Sequence, residues 1–269
     1  MDKKIGFIGS GNMGSAMIAG IRKAELVSGD GLMASDKSEE RLNSLKENYG
    51  ILTSYDNKET AAFADILFLA VKPFMFSEVI AEIKDSIKDD AIIVSIAAGQ
   101  TIKGIESAFG KKIKLVRTMP NTPAMVGAGM SALCPNENVT EDEVELVQKI
   151  FHSFGVSEVV KESMIDAVIG VSGSSPAYVY MFIEAMADAA VIGGMPRKQA
   201  YTFAAQAVLG SAKMVLETGL HPGELKDMVC SPGGTTIEAV AELEKHGMRS
   251  AVIEAMKACM DKSKEMSKE

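Results

Sequence analysis

Tryptophan is absent from this chain, and histidine and cysteine occur only three times each. Cys134, Cys230 and Cys259 are odd in number and far apart, so neither a disulfide framework nor a Cys/His metal site is expected. They read as small apolar residues. None of the histidines sits in a context that suggests catalysis. Basic residues are outnumbered, 28 Lys and Arg against 36 Asp and Glu, for a net charge of −8. That balance argues against a general binder of nucleic acid or of a membrane surface. No apolar run reaches the ~18 residues that a membrane helix needs, and no signal peptide is visible, so a cytoplasmic location is expected.

What remains is the composition of a globular protein. The chain has 269 residues, of which 47% are hydrophobic and 24% charged. That length suits one large or two modest domains. The 18 methionines point to adaptable core or subunit contacts.

The stretch that organises the chain lies near its start. Lys4-Ile5-Gly6-Phe7-Ile8 is a short apolar run, Gly9-Ser10-Gly11-Asn12-Met13-Gly14 follows, and Ser15–Ile21 has helical apolar spacing. This is Gly-x-Gly-x-x-Gly between a strand and a helix, the arrangement that seats a dinucleotide pyrophosphate. Gly9 permits the tight turn, Gly11 lets the backbone approach the phosphates, and Gly14 lets helix and strand pack closely. Free N–H groups at the helix start then face the anion. A second strand, Gly31–Asp36, ends in an acid. A carboxylate about 20 residues past the glycines binds the ribose 2′-hydroxyl of NAD. Lys37 and Arg41 follow it and could accept the 2′-phosphate of NADP instead, so these residues leave the cofactor open between NADH and NADPH.

Helix-like spacing over Ser38–Tyr49 precedes a continuous apolar run, Asp65–Val71, the pattern of a strand buried on both faces. It ends in Lys72-Pro73, which places Lys72 at the crevice where open α/β sheets bind ligands. Helix Phe76–Ile87, strand Ala91–Ile96 and the small residues Ala97-Ala98-Gly99 come next, small enough for a flat ring to approach. Helix Thr101–Phe109 and strand Lys114–Met119 run to a sharp break at Pro120-Asn121-Thr122-Pro123. Short strands Ser131–Cys134 and Ser157–Val160 flank helix Asp142–Phe154. Strands alternating with helices mean an α/β domain with a mostly parallel, doubly wound sheet, expected over residues 1–160.

From residue 161 to 269 strand signals vanish and an all-helical domain is expected. Its helices read as Ser163–Val171, Ala177–Ile192, Arg197–Glu217, a short one after His221-Pro222, Ile237–Lys245 and Arg249–Met266. Ala177–Ile192 is apolar almost all round except for Glu184 and Asp188, which calls for burial on every side, here across a subunit interface. Two stretches look chemical. Gly173-Ser174-Ser175-Pro176-Ala177-Tyr178 is a hydroxyl-rich entry to a helix, which a simple N-cap would also explain. Ser231-Pro232-Gly233-Gly234-Thr235-Thr236 leaves backbone N–H groups and hydroxyls free at a helix start, which suits a small carboxylate.

Taken together, Gly9–Gly14, Ala70-Val71-Lys72-Pro73, Met119–Pro123, Ser174–Tyr178 and above all Asp227–Ile237 resemble the pyrroline-5-carboxylate reductase family along the whole chain. Ser175 departs from the family's usual glycine. The resemblance implies reduction of the cyclic imine 1-pyrroline-5-carboxylate to L-proline by NADPH or NADH. It also implies homodimers through the helical domain, assembling further into rings, with the active site between the two domains. Among the residues it points to, Gly234, Thr235 and Thr236 hold the substrate carboxylate, the Thr236 hydroxyl meets the ring nitrogen, and Ser231 supports that loop. Lys72 sits over the crevice; Ser10, Asn12 and Met13 join the glycines at the pyrophosphate, with Ala70, Val71 and Pro73 beside them. Asp36, Lys37 and Asn57 meet the adenosine ribose, and Ala97, Ala98 and Asn121 line the nicotinamide end. No metal is implied. Two other readings start from the same glycines: a β-hydroxyacid dehydrogenase, for which Lys213 is the candidate acid–base but lacks the expected asparagine neighbours, and a non-enzymatic dinucleotide sensor.

Overall fold

The computed structural model describes residues 1–267. Compactness divides the chain into two units: Met1–Ser174 together with the segment from Cys259 onward, and Ser175–Ala258.

The first unit is built on one eight-stranded sheet. Its strands are β1 (Ile5–Ile8), β2 (Leu32–Ser35), β3 (Leu52–Ser54), β4 (Ile66–Leu69), β5 (Ile92–Ser95), β6 (Lys114–Met119), β7 (Gly129–Pro135) and β8 (Gly155–Val159). They lie in the order β3-β2-β1-β4-β5-β6-β7-β8. Every neighbouring pair is parallel except β6 and β7. That exception has a steric cause. Parallel neighbours need a crossover of about a dozen residues or more, and the link from Met119 to Gly129, mostly a 3₁₀ turn at Thr122–Val126, is too short for one.

The crossovers are helices: α1 (Asn12–Lys23), α2 (Glu39–Tyr49), α3 (Asn57–Phe63), α4 (Phe76–Ile83), α5 (Ile102–Phe109) and α6 (Glu141–Phe151). The starts of α2, α3, α5 and α6 are fixed by side chains. Ser38 accepts from Arg41 N at α2, Asp56 from Lys58 N at α3, and Thr101 from Gly104 N at α5. Thr140 and Glu143 form a reciprocal capping box at α6. The central strands are buried on both faces, as their unbroken apolar runs require. Phe7 stacks on Phe68 with ring centroids 4.5 Å apart on one face, and Ile8, Leu67, Leu69 and Ile93 pack against α4 and α5 on the other.

Short α7 (Ile165–Val168) passes into a π turn, Ile169–Gly173. The Gly173–Pro176 stretch is entered through this π turn, with Ser174 N–H donating to Ile169 O at 2.8 Å. The second unit holds α8 (Ser175–Ile192), α9 (Arg197–Thr218), α10 (Pro222–Val229) and α11 (Thr235–Lys245), with the first part of α12 (Met248–Met266). Helices α8 and α9 pack together, yet large apolar side chains stand out of the unit, among them Ile192, Met181, Phe203 and Leu216. Helix α11 starts at Thr235, two residues before the expected Ile237, so Thr235 and Thr236 form part of its first turn.

Candidate functional site: a glycine-lined cleft and a helix-start loop

A cleft of about 650 Å³ opens in the first unit at the carboxyl ends of β1, β2, β4, β5 and β6. This is where the strand order reverses direction, between β1 and β4, the standard crevice of an open α/β sheet. Gly9, Gly11, Asn12 and Met13 line it after β1; Asp36, Lys37 and Arg41 after β2; Asn57 at the start of α3; Ala70, Val71, Lys72 and Pro73 after β4; Ala97 and Ala98 after β5.

Each glycine of the turn has its own geometric reason. Gly9 has φ +98°, and a Cβ there would lie 2.5 Å from Ala70 O. A Cβ on Gly14 would lie 2.5 Å from Gly9 O, so Gly14 lets α1 sit against the turn. Around Gly11, by contrast, a Cβ would meet no atom within 4 Å. That open space faces the start of α1, where no side chain caps the helix and its first turn carries no acid. The uncapped N–H groups and positive helix end suit a pyrophosphate. The residues present therefore fit a dinucleotide.

Ser10 and Gly14 stand behind this surface. Buried Ser10 donates both its backbone N–H and its hydroxyl to Asp36 Oδ2, each at 2.7 Å. Ser38 N–H donates to Asp36 Oδ1 at 2.9 Å, and Arg41 lies 3.8 Å away. Burial pushes the Asp36 pKa up, but the Ser10 and Ser38 hydrogen bonds and the Arg41 charge outweigh it, and the carboxyl is held below its ordinary value. Asp36 thus ties the glycine turn to β2. Lys37 and Lys72, among the described residues, make no ion pair, and both present their charge to the cleft.

Asn121 is placed differently. Its side chain is buried and held at both ends, Nδ2 donating to Ser172 O at 3.0 Å and Oδ1 accepting from Met130 N at 2.8 Å. Its neighbour Thr122 reaches the cleft instead.

In the second unit, Ser231–Gly234 makes a tight turn, Gly234 N–H donating to Ser231 O at 3.0 Å and Gly233 at φ +66°. Gly234 is the N-cap of the eleven-residue α11 and supplies no side chain, so the first N–H groups of the helix are left for a ligand. Thr236 is half-buried and Ser231 exposed. Free N–H groups at a helix start, with the Thr236 hydroxyl in the same turn, suit a small carboxylate; Glu238 also lies in that first turn.

Comparison with known proteins agrees with both halves. A family model described as pyrroline-5-carboxylate reductase dimerisation matches residues 162–266, and one described as NADP oxidoreductase, coenzyme F420-dependent, matches residues 4–99. The pyrroline-5-carboxylate reductase of Escherichia coli (strain K12) is 56% identical over 268 residues, with 100% of each chain covered. The chain belongs to the pyrroline-5-carboxylate reductase family. Two solved pyrroline-5-carboxylate reductases share its structure: that from Coxiella burnetii, at TM-score 0.94 and 36% identity over 99% of each chain, and the pyrroline carboxylate reductase of Plasmodium falciparum with NADP bound, at TM-score 0.89 and 35% identity over 99% of this chain and 98% of that one.

Lys213 and the buried cysteine stand apart from both the cleft and the helix-start loop. Lys213 is exposed and forms a pair with Glu217 one helical turn on, at 3.4 Å. Cys134 is buried, which pushes its thiol pKa up to about 11 and leaves it inert. Among the described residues no cluster of acids, histidines and cysteines is arranged to hold a metal ion, and no helix is long and apolar enough to cross a membrane.

Sequence reasoning missed Ser35, Met75, Glu78, Glu82 and Thr122 as cleft residues. Glu78 and Glu82 could have been found. They are four apart on a helix that begins at Phe76, just past the Pro73–Met75 turn, so they share one face of it, and both line the crevice.

Proposed function

We propose that this chain reduces 1-pyrroline-5-carboxylate to L-proline with a reduced nicotinamide dinucleotide, the last step of proline biosynthesis. The observation that carries the reading is the Gly9–Gly14 cleft in a chain that matches a pyrroline-5-carboxylate reductase from end to end. The enzyme is an NAD(P)H-dependent oxidoreductase acting on a C=N bond.

The division of labour follows the sequence. Residues 1–160 take the dinucleotide and residues 161–269 take the substrate and form the dimer. When bound, the cofactor supplies a hydride to the imine carbon, and the protein supplies alignment and electrostatics. The N–H groups at Gly234, Thr235 and Thr236 hold the substrate carboxylate. The Thr236 hydroxyl oxygen accepts from the ring N–H of the protonated iminium; because that nitrogen already carries its proton, no strong protein acid is needed. Ser231 braces the turn through its carbonyl. Gly9 through Gly14 seat the pyrophosphate, with Ala70, Val71 and Pro73 beside them, and Lys72 raises the local positive potential. Asp36, Lys37 and Asn57 meet the adenosine ribose, while Ala97 and Ala98 shape the nicotinamide end and Asn121 clamps the break that carries Thr122 to the cleft.

The exposed apolar side chains of α8 and α9 support a homodimer through the helical domain. Dimers assemble further into a ring, and the enzyme works in the cytoplasm. The test of activity is loss of reduced-nicotinamide absorbance with 1-pyrroline-5-carboxylate, run separately with NADPH and NADH, with proline assayed as product. Cofactor binding without imine turnover would overturn the reading. Light scattering on the purified protein tests the assembly, and a monomer would remove the dimer.

A further inference from the structure

One side chain on the rim of the cleft carries a charge that a site for a polyanion does not call for. Glu82, on α4, is exposed, and among the described residues it forms no ion pair. Its single hydrogen bond is accepted from Asn57 Nδ2 at 2.8 Å. Asn57 in turn accepts, through Oδ1, from the hydroxyl of Ser35 at 2.8 Å, and Ser35 is the fully buried last residue of β2. Ser35, Asn57 and Glu82 all line the cleft.

Asn57 is not needed for its own helix. Asp56 already caps α3 by accepting from Lys58 N–H at 2.8 Å. The amide is instead suspended between two partners of different kinds. A serine hydroxyl can donate or accept, so Ser35 alone would leave the amide free to flip. A carboxylate only accepts, so it can meet Asn57 only through Nδ2. Glu82 thereby decides which way the amide faces. One N–H and one oxygen lone pair of Asn57 are left over, in a fixed arrangement, at the end of β2 where an open α/β sheet places the adenosine ribose.

We propose that Glu82 is a positioning residue for the cofactor, holding the Asn57 amide in the one orientation that presents a donor and an acceptor to the ribose hydroxyls. This rests on the reading of the cleft as a dinucleotide site. The assignment makes a prediction of unusual sign. A carboxylate beside a polyanion opposes binding through its charge alone, so an effect of charge would make its removal tighten the complex. An effect of orientation makes its removal weaken it.

The experiment is a fluorescence titration of NADPH into the full-length protein without substrate, comparing wild type, Glu82→Ala, Glu82→Gln, Asn57→Ala and the Asn57→Ala/Glu82→Ala double variant. Glu82→Ala weakens binding by about 3–10-fold, the loss of roughly one neutral hydrogen bond. Glu82→Gln, whose amide oxygen still accepts from Nδ2, binds as wild type or tighter. In the Asn57→Ala background, Glu82→Ala weakens binding no further and leaves it unchanged or tighter, since the orienting effect needs Asn57. In steady-state assays Glu82→Ala raises KM for NADPH by the same factor and leaves kcat and the KM for the imine unchanged. Tighter binding by Glu82→Ala, failure of Glu82→Gln to restore affinity, or an undiminished effect without Asn57 would each overturn the proposal. Because the titration needs no turnover, a protein that binds NADPH with these ratios yet does not reduce 1-pyrroline-5-carboxylate refutes the reductase reading and leaves the Glu82 assignment standing.

Discussion

Asn121 donates to the backbone carbonyl of Ser172 across 51 residues of sequence, at 3.0 Å. The acceptor has a reason to need it. Ser172 lies four residues before Pro176, and proline brings no N–H to the turn of helix that would otherwise bond that carbonyl. A side chain from the Met119–Pro123 break supplies the missing donor, and its other end holds Met130 N–H at the start of β7.

Replacing Asn121 by Ala is therefore expected to remove the partners of two part-buried backbone groups, at about 0.5–1.5 kcal/mol for each hydrogen bond lost. Asn121→Asp keeps the acceptor for Met130 but sets a carboxylate against the Ser172 carbonyl, and should be no more stable than the alanine variant. Thermal melting checks both; melting at the wild-type temperature would show that the clamp contributes no stability.

The glycine turn tolerates no side chain at its first position. Gly9→Ala combines a positive φ with a Cβ placed 2.5 Å from Ala70 O. The left-handed backbone alone costs about 1–2 kcal/mol, and relieving the overlap must push β4 and the turn apart. NADPH affinity and melting temperature are expected to fall together. Gly11→Ala, which meets no protein atom, should lose NADPH affinity while melting normally.

Asp36 makes the fold acid-sensitive in a predictable direction. Its carboxyl is held below its ordinary value in the folded state, so it contributes stability that is fully present above the unfolded-state pKa of about 3.9. That contribution is lost as the pH falls through the lower, folded-state pKa. Acid unfolding of Asp36→Asn should differ from wild type most at neutral pH and converge with it at the acid end. A difference that is constant with pH would show that the Ser10 and Ser38 hydrogen bonds act without regard to the charge.

Cofactor choice can be read from the same corner. Asp36 is occupied by Ser10 and Ser38, while Lys37 and Arg41 line the cleft beside it. Arg41→Ala and Lys37→Ala are each expected to weaken NADPH more than NADH, by about tenfold or more, since each removes a charge-assisted hydrogen bond to the 2′-phosphate. Equal weakening of the two cofactors would place both cations away from the 2′ position.

Thr236→Ala should lower turnover roughly 10²–10³-fold if its hydroxyl meets the ring nitrogen in the transition state. A kcat near wild type would remove it from the mechanism.

Much of this was legible without coordinates because it is local. The glycine turn needs only consecutive residues, and the buried strands β4 and β5 announce themselves as apolar runs. The short strand β3 did not. It is three residues long, lies at the sheet edge and exposes Leu52, so it carries neither a long run nor a clean alternation. Helix α3 after it has only seven residues, too few for a readable period. The π turn at Ile169–Gly173 is equally silent in sequence, because one extra residue per turn shifts the bonding pattern without changing the residue types.

Amino-acid order alone determined that an α/β domain comes first and helices follow, where the dinucleotide turn lies, and that Ser231–Thr236 leads into a helix, since each of these depends on neighbours in the chain. Tertiary structure decided what each polar group faces. Asp36 is tied to Ser10 across 26 residues, Asn57 to Glu82 across 25 and Asn121 to Ser172 across 51. Hydrogen bonds of this kind depend on which strand ends and helix starts the sheet order brings within about 3 Å, and no periodicity along the chain encodes that.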